Sequence, residues 1–350
     1  MTRAMSRSVG IGVFASAVAA AYPESAQLVA RGADNSREFA VVGLGKAPGD
    51  TLSRANGINN RGQIVGQSSP SPRTWHATLW EDGVATDLGT LFHDGFSEAN
   101  AINNHGQIVG SAQTQSFEVH AVLWDQGSMI DLGKLGGFHS FAYDINDRGQ
   151  VVGYRVVGEF GSSRAFLWED GVMTDLGPLL SDGTFDDASV AWAINNRGQV
   201  VGVSRAPSGG QHAFLWEDGI VTDLGTLGGF FSSAVAINDR GQIVGFADDA
   251  AGVQHAVLWE NGRIVDLGML PGGVRSFARG INKRGQIVGE SSTADGVRRA
   301  FLWENGTMIE LGTLVPGESA SAWDINNHGD VVGEANRALF WTRNNNMLRF

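Results

Sequence analysis

The sequence predicts an all-β protein, a seven-bladed β-propeller of four-stranded antiparallel blades. Three observations carry this expectation. A nine-residue block, INNRGQIVG at 58–66, returns as INNHGQIVG (102–110), INDRGQVVG (145–153), INNRGQVVG (194–202), INDRGQIVG (237–245), INKRGQIVG (281–289) and INNHGDVVG (325–333). A second block, HATLWEDG at 76–83, recurs around Trp124, Trp168, Trp216, Trp259, Trp303 and Trp341. No segment sustains a 3.6-residue apolar period, so helix is not expected. The closing glycines of the first block lie 43 to 49 residues apart, the length of one propeller blade.

Taken in chain order, the N-terminus reads first as a leader. Arg3 and Arg7 precede an apolar run from Val9 to Ala21, and Ala17, Ala19 and Ala21 offer small-residue cleavage sites. Such a pattern is that of a secretory signal peptide over 1–21. The run of about 13 residues is shorter than the roughly 20 that cross a bilayer, and nothing later reads as a transmembrane helix. Residues 22–37 are expected to be a linker, and 38–350 a single propeller domain.

Each unit parses into four strands. The first ends in A-x-x-I-N, as in SVAWAIN at 189–195; the second is GQIVG with its flanks; the third is HAFLW; the fourth ends in DLG. N-x-R/H-G separates the first two, with Gly where positive φ is wanted. Asp82-Gly83, Asp170-Gly171 and Asn261-Gly262 separate the last two. Asp-Gly and Asn-Gly favour two-residue hairpins, because both central residues must adopt positive φ. The unit is therefore a meander.

A meander of this size leaves apolar surface on both faces, and radial stacking of units buries it. The repeated Leu-Trp pairs suit the space between blades. A β-solenoid-like array is the rival architecture, but its parallel crossovers fit poorly with Asp-Gly hairpins. Closure has two candidate strands. Residues 38–45 match a fourth strand and would complete the last blade; alternatively the tail ending in MLRF does so.

Composition narrows the function. Gly, at 49 residues against 8 Pro, fits many tight turns between buried strands, given that 42% of residues are hydrophobic. A net charge of −12 repels phosphate backbones, so nucleic acid is not an expected partner. The absence of Cys excludes disulfides, thiolate chemistry and a lipid-anchored cysteine. No P-loop, G-x-S-x-G, H-E-x-x-H or dinucleotide signature is present. No cofactor, metal or catalytic residue is assigned, and the chain is expected to be a monomer.

The run HAFLWEDG, followed by TDLGTLGG and AINDRGQIVG (212–245), resembles the bacterial HAF-repeat proteins, a family of extracellular repeat proteins. The resemblance extends over essentially the whole chain after the leader. Units with Arg164, Arg299 or Arg337 in place of the name-giving His depart from it mildly. It implies export and a repeat fold, and it brings no catalytic residues.

Strand alternation divides the ends of the blades into two faces. One carries the uniform N-x-R/H-G and E-D/N-G turns. The other carries connections of varied length and content, among them QSSPSPRTW, YRVVGEFGSS and LLSDGTFDDAS. Varied loops on a rigid frame are where recognition is expected. In the first strand, expected to line the central channel, the position two before the repeated Ile is Asn56, Asn100, Tyr143, Trp192, Val235, Arg279 and Trp323. Aromatic platforms beside Asn and Arg suit a glycan ring; equally, they suit a plug of the channel or packing between blades. The candidate ligand-binding residues are thus Trp192, Trp323, Tyr143, Arg279, Asn100 and Asn56.

His76, His120, His212 and His255 sit at one strand position in different units, which spreads them apart and argues against a shared metal. Asp144–Gln150 and Asp324–Asp330 look faintly like calcium loops, but a turn held by an Asn side chain explains them better. Asp182, Asp186 and Asp187 fall in the longest connection. The expected function is a secreted or surface-exposed binding module for a carbohydrate or cell-surface polymer. The alternatives are a polysaccharide-active lyase or hydrolase using the loop acids Asp186 or Asp187, and a purely structural scaffold.

Overall fold

The computed structural model describes residues 28–31, 38–69, 74–93, 95–158, 161–178, 188–207 and 209–343. The segment read as a leader (1–21), the acids Asp182, Asp186 and Asp187, and the MLRF tail lie outside the described residues. Every regular element among those described is a strand.

The strands from Glu38 onward form six sheets; one of these, eight-stranded, is two four-stranded sets joined through a single parallel pairing of Gln211 with Phe231. Seven four-stranded antiparallel sets result, spanning 52–87, 97–133, 139–175, 189–223, 228–266, 273–310 and 321–343 with 38–43. We number these blades 1 to 7. Seven apolar clusters lie between successive blades, one for each seam. At the seam of blades 1 and 2, for example, Val65 and Ala77 pack against Ala99, Ile102 and Trp124. The Leu-Trp pairs work across both seams of their blade: Leu79 faces blade 2, while Trp80 packs with Val332 and Phe340 of blade 7. These seams close the chain into a propeller.

Blade 7 is completed by the N-terminal candidate. Glu38–Gly43 pairs antiparallel with Ala338–Arg343, from Phe39 opposite Arg343 to Gly43 opposite Leu339. The expected linker needs correction. Within 22–37, Leu28–Arg31 is a strand that pairs with Glu38–Gly43 as a fifth member of blade 7. It covers what would otherwise be an open sheet edge.

The repeated residues are explained by local contacts. In the third-to-fourth turns, Asp82, Gln126, Asp170, Asp218, Asn261 and Asn305 have φ of 48–53° and are each followed by a positive-φ Gly, the hairpin turn that matches strand twist. The closing glycine of the first block has a different reason. A Cβ on Gly66, Gly110, Gly153, Gly202, Gly245, Gly289 or Gly333 would lie 1.9–2.0 Å from a carbonyl oxygen of the first strand, so no other residue fits there.

The Asn of the first block holds the ring together. Asn59 Oδ1 accepts from the N–H groups of Arg61 and Gln63, fixing its own turn. Its Nδ2 donates to Asn103 O of the next blade at 3.0 Å. The same bond recurs from Asn103, Asn146, Asn195, Asn238 and Asn282, and Asn326 donates to Asn59 O at 3.3 Å. A circuit of seven side-chain hydrogen bonds thus closes around the turn face.

Candidate functional site

The first strand of every blade carries one irregularity, at the variable position singled out above. Pairing with the second strand skips a residue between Ala55 and Gly57, and likewise between the flanking residues in the other six blades. Asn56, Asn100, Tyr143, Trp192, Val235, Arg279 and Trp323 are the extra residues. A β-bulge leaves its extra residue without a ladder partner and re-aims its side chain. Here all seven line one cavity of about 670 Å³ in the channel. The cavity is also lined by Arg54 and Gln67, near the start of a first strand and the end of a second. It therefore opens on the face of the varied connections.

On the uniform turn face, a recess of about 170 Å³ on the axis is bounded by the seven repeated isoleucines and the Asn-rich turns, and another of about 510 Å³ lies among the turns of blades 1 to 3, lined by Arg61, His105, Asp125 and Arg148.

The cavity has two unlike halves. Blades 3 to 5 supply aromatic surface. The Tyr143 ring meets Trp192 at 4.6 Å, tilted by 56°, and stacks with Tyr154 at 5.8 Å, which in turn stacks on Phe141 at 4.9 Å. Phe231 stacks on Phe246 at 5.6 Å. Blades 6, 7, 1 and 2 supply most of the charged groups, among them Arg279, Asp324, Glu334, Arg54 and Glu98. The Arg279 guanidinium lies 4.9 Å over the Trp323 ring and 5.4 Å over Phe277, and pairs with Glu290 at 3.0 Å. At the rim Arg54 lies 5.2 Å over Trp75 and pairs with Glu334 at 3.0 Å.

Two further carboxyls reach the cavity one residue after the bulge, where the other blades have Ala or Gly. Asp144 accepts from Ile194 N of blade 4 at 2.8 Å and from Ile145 N at 2.8 Å. Asp324 makes the same pair of bonds, to Ile58 N of blade 1 at 2.9 Å and Ile325 N at 2.7 Å. Burial pushes Asp144 up to about 7; the backbone N–H donors oppose this, and the charge of Asp324 adds to it. Burial also raises Asp324. The Tyr143 phenol is raised as well, first by burial and then by Tyr154 and Glu98. A neutral carboxylic acid near neutral pH can donate as well as accept a proton.

The structure brings together all six candidate residues. Two of them also tie neighbouring blades to each other, since Asn56 and Asn100 donate through Nδ2 to Ala99 O and Ala142 O of the next blade, both at 2.9 Å. Sequence reasoning missed Asp144, Asp324, Glu98, Trp75 and the Phe231–Phe246 pair. Asp144 and Asp324 were visible as the two copies in which Asp directly precedes the repeated Ile. Trp75 was visible as the third Trp outside the Leu-Trp motif. Glu98 and the Phe pair carry no signal of their own, since their place in the cavity depends on how the blades are arranged about the axis.

The repeated histidines belong to the blades' outer edges. His76, His120 and His212 pair through Nδ1 with Asp87, Asp131 and Asp223 of the fourth strand at 2.8 Å, and His255 with Asp266 at 2.9 Å. Where Arg299 replaces the His it pairs with Glu310 at 2.9 Å.

No family model matches this chain, and no curated protein does. Solved structures do match. A puromycin-hydrolysing peptidase of Mycobacterium tuberculosis aligns with TM-score 0.55 and 13% identity, over 85% of this chain and 52% of that one. An acylaminoacyl peptidase of Pyrococcus horikoshii aligns with TM-score 0.50 and 13% identity, over 83% and 50%. This chain spans about half the length of these two peptidases. The BP39L lectin of Burkholderia pseudomallei aligns with TM-score 0.47 and 15% identity, over 82% of this chain and 94% of that one. At such identities the likeness is one of fold.

Proposed function

We propose that the protein is a binding module whose ligand is a carbohydrate or cell-surface polymer, taken into the cavity on the varied-loop face. One observation carries this reading: an open cavity of about 670 Å³ that sets Tyr143, Trp192 and Trp323 beside Glu98, Asn100 and Arg279. A pyranose presents apolar C–H faces and equatorial hydroxyls. Aromatic faces with a few placed polar groups answer both. In this reading the chain is exported, as the leader-like 1–21 segment and the likeness to HAF-repeat proteins imply.

A second reading has one observation in its favour. Asp144 and Asp324 share the cavity with Glu98 and two arginines, and Asp144 titrates near neutrality. Paired carboxyls of unlike proton affinity are what glycoside cleavage uses. One experiment addresses both readings. The protein, Trp192→Ala and Trp323→Ala are screened against a glycan array, and bound polysaccharides are followed for new reducing ends or unsaturated products. Retention of glycans by the parent, weakened about tenfold or more in each variant as expected for lost aromatic stacking, is the expected result. An empty array, or equal binding by all three proteins, defeats the glycan reading. Chain cleavage would favour the enzyme.

A further inference from the structure

We infer that the cavity is built for a ligand bearing a positive charge, specifically a sugar with a free ammonium group. The class of sugar rests on the glycan reading above; the sign of the charge rests on the cavity alone. Its two arginines are already neutralised within the protein. Arg54 pairs with Glu334 at 3.0 Å, and Arg279 with the buried Glu290 at 3.0 Å. Glu290 also accepts from Ser321 Oγ and lies 3.8 Å from Arg298. The carboxyls of Glu98, Asp144 and Asp324 have no cationic partner among the described residues. Glu98 accepts from Ser111 Oγ at 2.9 Å, and the two aspartates accept only backbone N–H groups.

The cavity thus carries carboxyl groups in excess of cations. Asp144 and Asp324 line the same cavity as Tyr143, Trp192 and Trp323, whose ring faces also attract cations. An anionic sugar would meet the Glu98 carboxylate and would further oppose ionisation of the two buried aspartates. A neutral one would leave all three carboxyls without a cation. An ammonium group resolves both: it neutralises the excess and draws the proton of Asp144 into solvent, since a nearby cation favours the ionised acid.

The test is a calorimetric titration of the full chain, in low salt at pH 6, with a β-1,4-linked glucosamine tetramer, its fully N-acetylated counterpart, and choline. The free-amine tetramer is expected to bind about tenfold or more tighter than the acetylated one, an advantage of the size that a partly desolvated charge contact gives. Glu98→Gln, which keeps an acceptor for Ser111, is expected to shrink that ratio to about threefold, and added salt to lower it further. Equal or tighter binding of the acetylated tetramer overturns the charge inference and leaves the glycan reading standing. Choline binding without either tetramer reverses that outcome. Failure of all three probes overturns both.

Discussion

Asp144 couples the cavity to the stability of the ring. Its carboxyl bridges blades 3 and 4 through Ile194 N, and burial holds it up to about 7 against an ordinary value of 3.8. Between these two values the folded protein binds a proton that the unfolded chain has released. Stability must therefore fall as pH rises through that window, and the contribution is complete only below about 4. Asp324 is raised in the same direction and adds to the slope. Carboxylates that are depressed, such as Asp239, whose N–H donors and Lys283 outweigh its burial, act below this window and do not offset it. The expected outcome is a Tm higher at pH 5 than at pH 8. Asp144→Asn, which has no proton to lose, should flatten the difference. Thermal melts at both pH values check this, and an unchanged slope in the variant would mean that Asp144 is not the group responsible.

At the scale of the repeated element, nearly every residue that makes the unit recognisable is spent on the scaffold. The Asn circuit shows how. Asn195, 3% exposed, accepts from Arg197 N and Gln199 N within its turn and donates to Asn238 O of the next blade at 3.1 Å. Asn195→Ala should cost about 2–4 kcal/mol in urea unfolding, because it leaves several buried partners unmet. Asn195→Asp keeps the two turn acceptors but sets a carboxylate against Asn238 O. It should be no more stable than the Ala variant; full rescue by Asp would reduce the residue to a turn former. This economy also explains what was legible beforehand. Strand order, turn positions and the six channel residues could be read because each lies at a fixed offset within the repeat. The bulge could not, since an extra residue in one strand looks the same as an ordinary one until the partner's register is known. Nor could the Glu98, Phe231 and Phe246 contributions, which depend on the spacing of blades around the axis.

At the scale of the whole molecule, the ring depends on contacts between the distant ends of the chain. Six blades are continuous in sequence, and their strands find one another over fewer than fifty residues. Blade 7 must recruit Glu38–Gly43 across nearly the whole chain. Phe39 and Val41 then fill the cluster that contains Leu339 and Trp341, all at most 2% exposed. The circuit of Asn bonds crosses the next seam, from blade 7 to blade 1, between Asn326 and Asn59, as does the bond from Ile58 N to Asp324. Closure and the cavity are therefore linked, because a gap between blades 7 and 1 would displace Trp323, Asp324, Arg54 and Asn56 together. Deleting residues 1–37 removes, of the described residues, the added edge strand Leu28–Arg31, and should leave a single cooperative transition near the parent Tm. Deleting 1–43 strips the outer strand of blade 7 and exposes Trp341. The loss of the buried Phe39, Val41 and Val42, at about 1.5–3 kcal/mol each, is a large part of the roughly 5–15 kcal/mol that stabilises a single domain. That variant should unfold at a much lower temperature, bind hydrophobic dye and lose ligand binding in parallel. Retention of a parent-like melt by the shorter chain would show that the seven seams are independent, and that the ring does not need its clasp.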